Sequence, residues 1–373
     1  VKLTIDRDEL LNQLSHVHGV VKKYKTACIT ENVLISAHDG IISMTTTDTD
    51  IEIMEDAVAD VRTPGKTTVP ASTLYDIVCK MLAGAKIEME NSPDGSQLTV
   101  KCGRSIFKLG CLPVDDFPQL TGGNIKRRFE LAASDLRSLI DHTSYAVSTD
   151  ETRYYLNGIY IHVARNLDDL PVLRAVATDG NRLARADVPL PAGALDILGV
   201  IIPNKTVNEI RKLINNISST IEIALSATSI QFDFDSITLT SKLIDGTFPD
   251  YNRVIPTKND KVVHVKTKDF LQAVDRVSAI FINKKGAVKL TVTNTELKIH
   301  SVGDQSGSAY EEIDVEYEGQ PIDICFNSRF LMDAAKQISG ENIKIAMSNG
   351  FSPIIILDKD DDDTLYVIMP LRG

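Results

Sequence analysis

The chain has 373 residues, 43% of them hydrophobic and 24% charged, which is enough for two or three domains with real cores and excludes a disordered chain. A formal net charge of −11 excludes a protein that grips nucleic acid over its whole surface, because phosphate binding needs clustered Lys and Arg; one basic face on an acidic body remains open. The longest apolar runs, such as Pro353–Leu357, are strand-length and fall short of the roughly 18–20 residues of a membrane span. The charged, alternating start Val1–Asp8 does not read as a signal peptide, so a cytoplasmic protein with no membrane role is expected. Five cysteines without a C-x-x-C suggest free thiols and no metal site.

In chain order, Leu3-Thr4-Ile5 alternates and then passes into an i, i+4 spacing at Leu10 and Leu14, with Glu9 just before. That predicts a strand running into a helix whose first turn carries an acid at the positive end of its dipole. His38-Asp39-Gly40 is a turn signal. Val69-Pro70 followed by Leu74, Asp76 and Ile77 predicts a second strand-to-helix passage, with a helix of about 10 to 12 residues and Asp76 near its start. Ser92-Pro93-Asp94-Gly95 is another turn, and Leu112–Pro118 closes the unit. The same series then returns. Phe129-Glu130-Leu131 leads into Asp135, Leu136 and Ile140; Ile202-Pro203 leads into Val207, Glu209 and Ile210; Leu243–Pro249 closes. A third series has Val263-His264-Val265 with Asp269, Phe270 and Val274, then Phe326-Asn327 with Leu331, Asp333 and Ala334, and ends at Tyr366–Leu371.

An offset of about 124 to 134 residues is domain-sized and too long for a solenoid repeat. The short polar stretches Thr121–Asn124 and Pro256–Asp260 mark the boundaries, giving three α+β domains at 1–121, 125–256 and 260–373. Like domains in tandem meet through like head-to-tail contacts, which close into a ring or run on as a filament. Three units leave two free sheet edges, an aggregation liability that pairing two chains end to end would cover, making a six-domain ring. Non-core helix positions carry Arg137, Lys205, Arg211, Lys212, Arg276 and Lys336; Lys22, Lys23 and Lys25 follow the first helix, and Lys284 and Lys285 the fifth. Acids cluster elsewhere, as in Asp358–Asp363. Any one of these cations is most simply a solvated helix face; as a set they point to helices lining an electropositive hole.

Four stretches are specific: Arg153-Tyr154-Tyr155-Leu156-Asn157-Gly158, Ala177–Leu183, Ser241–Tyr251 and Tyr366–Arg372. With them the whole chain resembles the bacterial sliding clamp, the beta subunit of DNA polymerase III. The resemblance implies three copies of the DNA-clamp domain, with two helices and about eight strands each. It also implies a homodimer that encircles duplex DNA without reading its sequence. Such a ring tethers the replicative polymerase catalytic subunit and is opened by an ATP-driven clamp loader. It implies no catalytic site and no cofactor in this chain, and no G-x-x-x-x-G-K-[ST] is present.

The resemblance further implies a pocket between the second and third domains for a Gln-Leu-x-Leu-Phe-like motif, shared by the polymerase, the loader and other clamp-motif proteins. Its residues here are Leu156, Thr178, Gly180, Leu183, Pro249, Val254, Val367 and Met369, with Arg153, Tyr155, Arg182, Arg253, Asn327, Pro370 and Leu371 around them. An aliphatic slot supplies the affinity and a polar rim the orientation. This chain departs from the family's pattern at Asn181, usually His, and at Phe330, usually Tyr; both bear on partner preference. For the dimer contact the resemblance points to Phe107 and Leu109 facing Ile280 and Phe281, with Arg104, Lys108, Glu311 and Glu312 as rim charges.

Two other readings compete. An enzyme is disfavoured by scattered histidines and by the lack of G-x-S-x-G or H-E-x-x-H; the recurring acids Glu9, Asp135, Asp269 and Asp76, Glu209, Asp333 read as helix-start residues. A protein-interaction scaffold with the same pocket and no DNA role would need no basic hole.

Overall fold

The structure, a computed structural model, describes residues 1–21, 28–120, 123–216, 219–281, 286–302 and 307–371. The candidates Lys22, Lys23, Lys25, Lys284 and Lys285 lie outside the described residues, as do Thr121 and Gly122 of the first boundary.

The first repeat runs β1 (Lys2–Asp6), α1 (Arg7–Val17), β2 (Asn32–His38), β3 (Ile41–Thr47), β4 (Ile51–Val58), β5 (Asp60–Thr63), β6 (Gly65–Pro70), α2 (Ala71–Cys79), β7 (Lys86–Asn91), β8 (Gln97–Cys102) and β9 (Ser105–Gly110). The second runs β10 (Arg127–Ala132), α3 (Ala133–Thr143), β11 (Gly158–Arg165), β12 (Pro171–Thr178), β13 (Arg182–Pro189), β14 (Val200–Pro203), α4 (Asn204–Leu213), β15 (Thr220–Leu225), β16 (Ser229–Phe234) and β17 (Ile237–Lys242). The third runs β18 (Lys261–Lys266), α5 (Thr267–Ser278), β19 (Ala287–Val292), β20 (Glu296–Val302), β21 (Tyr310–Asp314), β22 (Glu316–Tyr317), β23 (Ile322–Asn327), α6 (Ser328–Ala335), β24 (Asn342–Met347), β25 (Ile354–Asp358) and β26 (Thr364–Ile368).

Each strand-to-helix passage read from the sequence is present, and the i, i+4 residues are the ones buried: Leu10 and Leu14 in α1, Leu136 and Ile140 in α3, Phe270 and Val274 in α5. Glu9, Asp135 and Asp269 each stand third in their helix, where the dipole favours an acid. Two expectations need correction. The second helices have 9, 10 and 8 residues, so those of the first and third repeats fall short of the expected 10 to 12. The third of these stops where the chain must turn under Asp358, whose carboxylate accepts the Gly340 N–H at 2.8 Å. Asp76, Glu209 and Asp333 each stand sixth in their helix, in the second turn, so the dipole does not account for them.

The chain packs as two units, and the central repeat is divided between them: Val1–Ser134, Pro191–Ala194 and Lys205–Leu243 form one, the remainder the other. The first unit holds a sheet ordered β5-β1-β7-β8-β9 and an eight-stranded sheet ordered β10-β15-β16-β17-β4-β3-β2-β6. Here β17, the last strand of the central repeat, pairs antiparallel with β4, the third strand after α1. The second unit holds a nine-stranded sheet ordered β14-β11-β12-β13-β26-β25-β24-β18-β22 and a sheet ordered β21-β20-β19-β23. Here β26, the last strand of the third repeat, pairs antiparallel with β13, the third strand after α3. The two repeat-to-repeat junctions are therefore made in the same way. Their unused halves, β9 and β21, each lie at the edge of a sheet.

Candidate functional site

The turn between β12 and β13 is built by its own side chains. The Thr178 hydroxyl donates to the Arg182 carbonyl at 2.7 Å and accepts the Gly180 N–H at 3.1 Å. The Asp179 carboxylate accepts the N–H groups of Asn181 and Arg182 at 2.9 and 3.1 Å. Gly180 has φ +88°, which favours glycine, and a Cβ there would stand 2.7 Å from the Arg153 guanidinium. Arg153 lies across this glycine because it donates to the Asp179 carbonyl at 3.0 Å and to Asp150 at 2.9 Å.

The chain end is fastened to this turn. β26 continues past Ile368 so that the Met369 N–H reaches the Asn181 carbonyl at 2.8 Å, and the Leu371 N–H reaches the Cys325 carbonyl at 2.8 Å. Across β13 and β26, Leu183 faces Val367 in register. Both belong to a buried cluster with Leu156, Val176, Phe248 and Tyr251, against which Tyr155 packs. Apolar side chains remain exposed near this floor in sequence: Val254 at 48%, Met369 at 39% and Leu371 at 41%. Leu371 also lines a cleft of about 560 Å³ with Phe351, Ile322, Ile324, Cys325, Lys261 and Lys289. Phe351, 84% exposed, was not singled out by sequence reasoning; an aromatic inside the turn Ser348-Asn349-Gly350 was the available signal.

The segment carrying Pro249 and Val254 is anchored from below by Tyr251. Its hydroxyl lies 2.9 Å from His162 Nε2 and 3.5 Å from the Arg174 guanidinium, which binds Asp187 through two contacts of 2.6 Å. Burial works against the Arg174 charge, and Asp187 and Tyr251 more than offset it. Burial lowers the His162 pKa, favouring the neutral ring. Pro249 and Arg253 stay exposed, and Arg253 pairs with Asp250 at 3.0 Å.

Arg182 is only 8% exposed, so its charge needs partners. Asp179 meets it at 3.0 Å and Asp333 at 2.6 Å. Its guanidinium carbon also lies 4.7 Å from the Phe330 ring centroid and 5.2 Å from that of Tyr145. Phe330 lacks a hydroxyl but keeps the ring face a cation uses. Asn327 has a structural task as well: its side chain caps α6 by accepting the Arg329 N–H at 3.0 Å. Asp333 and Tyr251 escaped notice as site residues because their partners, Arg182 and His162, are remote in sequence.

The basic candidates divide. Lys205 pairs with the buried Asp48 and donates to the Val20 carbonyl at 3.2 Å. Burial pushes the Asp48 carboxyl up, but Lys205 and the N–H groups of Asp50 and Ile51 hold it below its usual range. Lys212 pairs with Glu209 at 2.8 Å, and Arg276 with Glu311. Arg211 and Lys336 are exposed and Arg137 half-buried. Of the edge residues, Phe107 is 36% exposed and Arg104 is exposed, Ile280 is half-buried, and Leu109 and Phe281 are already covered at 8% each. Ile106, 60% exposed on β9, was not anticipated.

Family models match nearly all of the chain in three parts: the DNA polymerase III beta subunit N-terminal domain over residues 1–121, its central domain over 130–250 and its C-terminal domain over 252–372. The chain is 42% identical over 372 residues to a beta sliding clamp of Caulobacter vibrioides, covering 100% of both. Among solved structures, a Caulobacter crescentus beta sliding clamp has a TM-score of 0.97 at 42% identity, covering 100% of this chain and 99% of that one. A Bartonella birtlesii sliding clamp bound to griselimycin has a TM-score of 0.95 at 44% identity, again covering 100% and 99%. The chain belongs to the DNA polymerase III beta subunit family.

Proposed function

We infer that this protein is a DNA sliding clamp: two copies join head to tail into a ring around duplex DNA and tether the replicative polymerase. The observation that carries the ring is the repeated junction. A last strand pairs with a third strand twice within the chain, and the remaining last strand, β9, and third strand, β21, are sheet edges. A second copy supplies β21 to β9 and β9 to β21, which removes both edges and closes the assembly. Phe107 and the half-buried Ile280 offer the apolar side chains of that contact, backed by the covered Leu109 and Phe281, and Arg104 forms its rim.

A ring reconciles a net charge of −11 with work on DNA. A protein holding DNA by phosphate contacts loses roughly 10³ to 10⁵ in affinity between 50 and 200 mM salt. A closed ring is held by topology, so weak contacts from Arg137, Lys205, Arg211, Lys212, Arg276 and Lys336, cations that also have partners within the chain among them, suffice and break readily as it slides. The chain supplies no chemistry of its own in this role; the loader's ATP opens the ring.

The surface around Leu156, Thr178, Gly180, Leu183, Val254, Val367 and Met369 takes the linear motif of the polymerase, the loader and other partners. Its support is the pairing of a buried aliphatic floor with exposed Val254, Met369 and Leu371. The Bartonella birtlesii sliding clamp was solved bound to griselimycin, so a member of the family takes a ligand of that kind.

The test is topological. The protein is loaded onto nicked circular plasmid with a bacterial clamp loader and ATP, then passed through a sizing column at high salt, before and after one cut in the plasmid. Retention on the circle and loss from the linear form are expected. Retention on both would mean direct DNA binding and sink the ring, as would a native mass of one 40.9 kDa subunit.

A further inference from the structure

We propose that Asp333 is a positioning residue of the partner pocket, acting through Arg182 to fix the turn that forms the pocket wall. The inference rests on the pocket reading above and deepens it.

Arg182 is the last residue of the Thr178–Arg182 turn and the first of β13, next to Leu183 of the floor. Its backbone N–H and carbonyl are both turn bonds, to Asp179 and Thr178, so its placement and the turn's are one. A guanidinium this deeply buried settles where its carboxylates are. Asp179 sits in the turn itself and moves with it. Asp333 does not: it belongs to α6 of the third repeat, whose own start is capped by Asn327. The Arg182–Asp333 contact at 2.6 Å thus ties the turn of one repeat to a helix of the next, beside the point where Met369 of β26 bonds Asn181. Arg329 reaches the same Asp333 oxygen at 3.5 Å, so removing the carboxylate leaves two cations facing each other. Phe330, one turn before, closes on the guanidinium from the same helix. The helix dipole does not explain an acid in the second turn of α6; the need of Arg182 does.

The experiment measures binding of a fluorescein-labelled Gln-Leu-Ser-Leu-Phe peptide by anisotropy, with thermal unfolding in parallel. Asp333→Asn is expected to weaken binding about tenfold, as loss of a charge-assisted contact does, and Asp333→Glu to restore it to within about threefold. Ala334→Gly loosens the same helix without touching Arg182. It should lower the melting temperature while changing affinity less than about twofold. Unchanged affinity in Asp333→Asn, or an equal loss in Ala334→Gly, overturns the positioning role and leaves the pocket standing. Failure of the unaltered chain to bind the peptide overturns the pocket and this inference together.

Discussion

Asp48 and Asp179 hold the same turn in two different repeats. Each carboxylate accepts the N–H groups two and three residues ahead, from Asp50 and Ile51 in one case and Asn181 and Arg182 in the other. Each is preceded by a threonine whose hydroxyl caps the turn, Thr47 and Thr178. Each turn receives an N–H from the end of the next repeat's last strand, Lys242 to Asp50 and Met369 to Asn181. What differs is the surroundings. Glu52 pairs with Thr240 in the first junction where Leu183 pairs with Val367 in the second, so a polar pair stands in one where an aliphatic pair stands in the other.

The shared turn makes two substitutions move in opposite directions. Thr49 is exposed with φ +78°, a strained place for a β-branched residue, whereas Gly180 occupies the equivalent position at φ +88°. Thr49→Gly is expected to stabilise the first unit by about 0.5–1 kcal/mol, strain relief exceeding the entropy glycine costs. Gly180→Ala should destabilise the second by about 1 kcal/mol or more and weaken motif-peptide binding, since Arg153 must move. Calorimetry on the two variants checks both signs; a loss in Thr49→Gly would refute the strain.

The β9 edge yields a prediction about mass. Phe107→Asp places a charge at the centre of the proposed contact, where single residues are commonly worth about 2 kcal/mol or more. Light scattering at micromolar concentration should show a subunit of 40.9 kDa where the unaltered protein shows twice that. An unchanged mass would mean that the copies meet elsewhere or not at all.

Much of this was legible in the sequence because strand and helix periods are local. The three passages into α1, α3 and α5 follow from spacing alone, and burial of Leu14, Ile140 and Val274 agrees. Pairing of β4 with β17 and of β13 with β26 is not local, and no pattern in either strand names its partner. The same limit hid Asp333, whose meaning depends on Arg182 far upstream, and it led Lys205 to be read as a free cation before Asp48 was beside it.

Histidines give the two units opposite responses to pH. A hydrogen bond that the His16 ring donates to the Glu55 carboxylate at 2.9 Å raises the His16 pKa, burial notwithstanding. A raised histidine contributes stability that is full below its unfolded value near 6.5 and is lost as pH rises through the folded value. Burial lowers the pKa of His142 and His162, so their contribution is present above that value and is lost as pH falls through it. Between pH 8 and 6, amide protection of β4 should rise and that of β12 fall, after correction for intrinsic exchange. His16→Gln should abolish the first trend and leave the second; parallel movement of both strands would contradict the assignment.

Lys205 and Lys336 test which of the proposed DNA-facing cations serve the fold instead. Lys205 faces a carboxylate that is itself buried, with side-chain exposures of 34% and 5%, while Lys336 is exposed at the end of α6. Lys205→Ala takes from the buried Asp48 carboxylate the cation that holds its pKa down, at a cost of about 1–2 kcal/mol once partial exposure is allowed for. Most of that cost should vanish in an Asp48→Ala background, as a double-mutant cycle would record. Lys336→Ala should leave unfolding unchanged and instead shorten the lifetime of loaded rings on linear DNA at low salt, where phosphate attraction is least screened. If Lys205→Ala shortened that lifetime with no effect on unfolding, Lys205 would belong with the cations that face DNA, and its bond to Asp48 would be incidental.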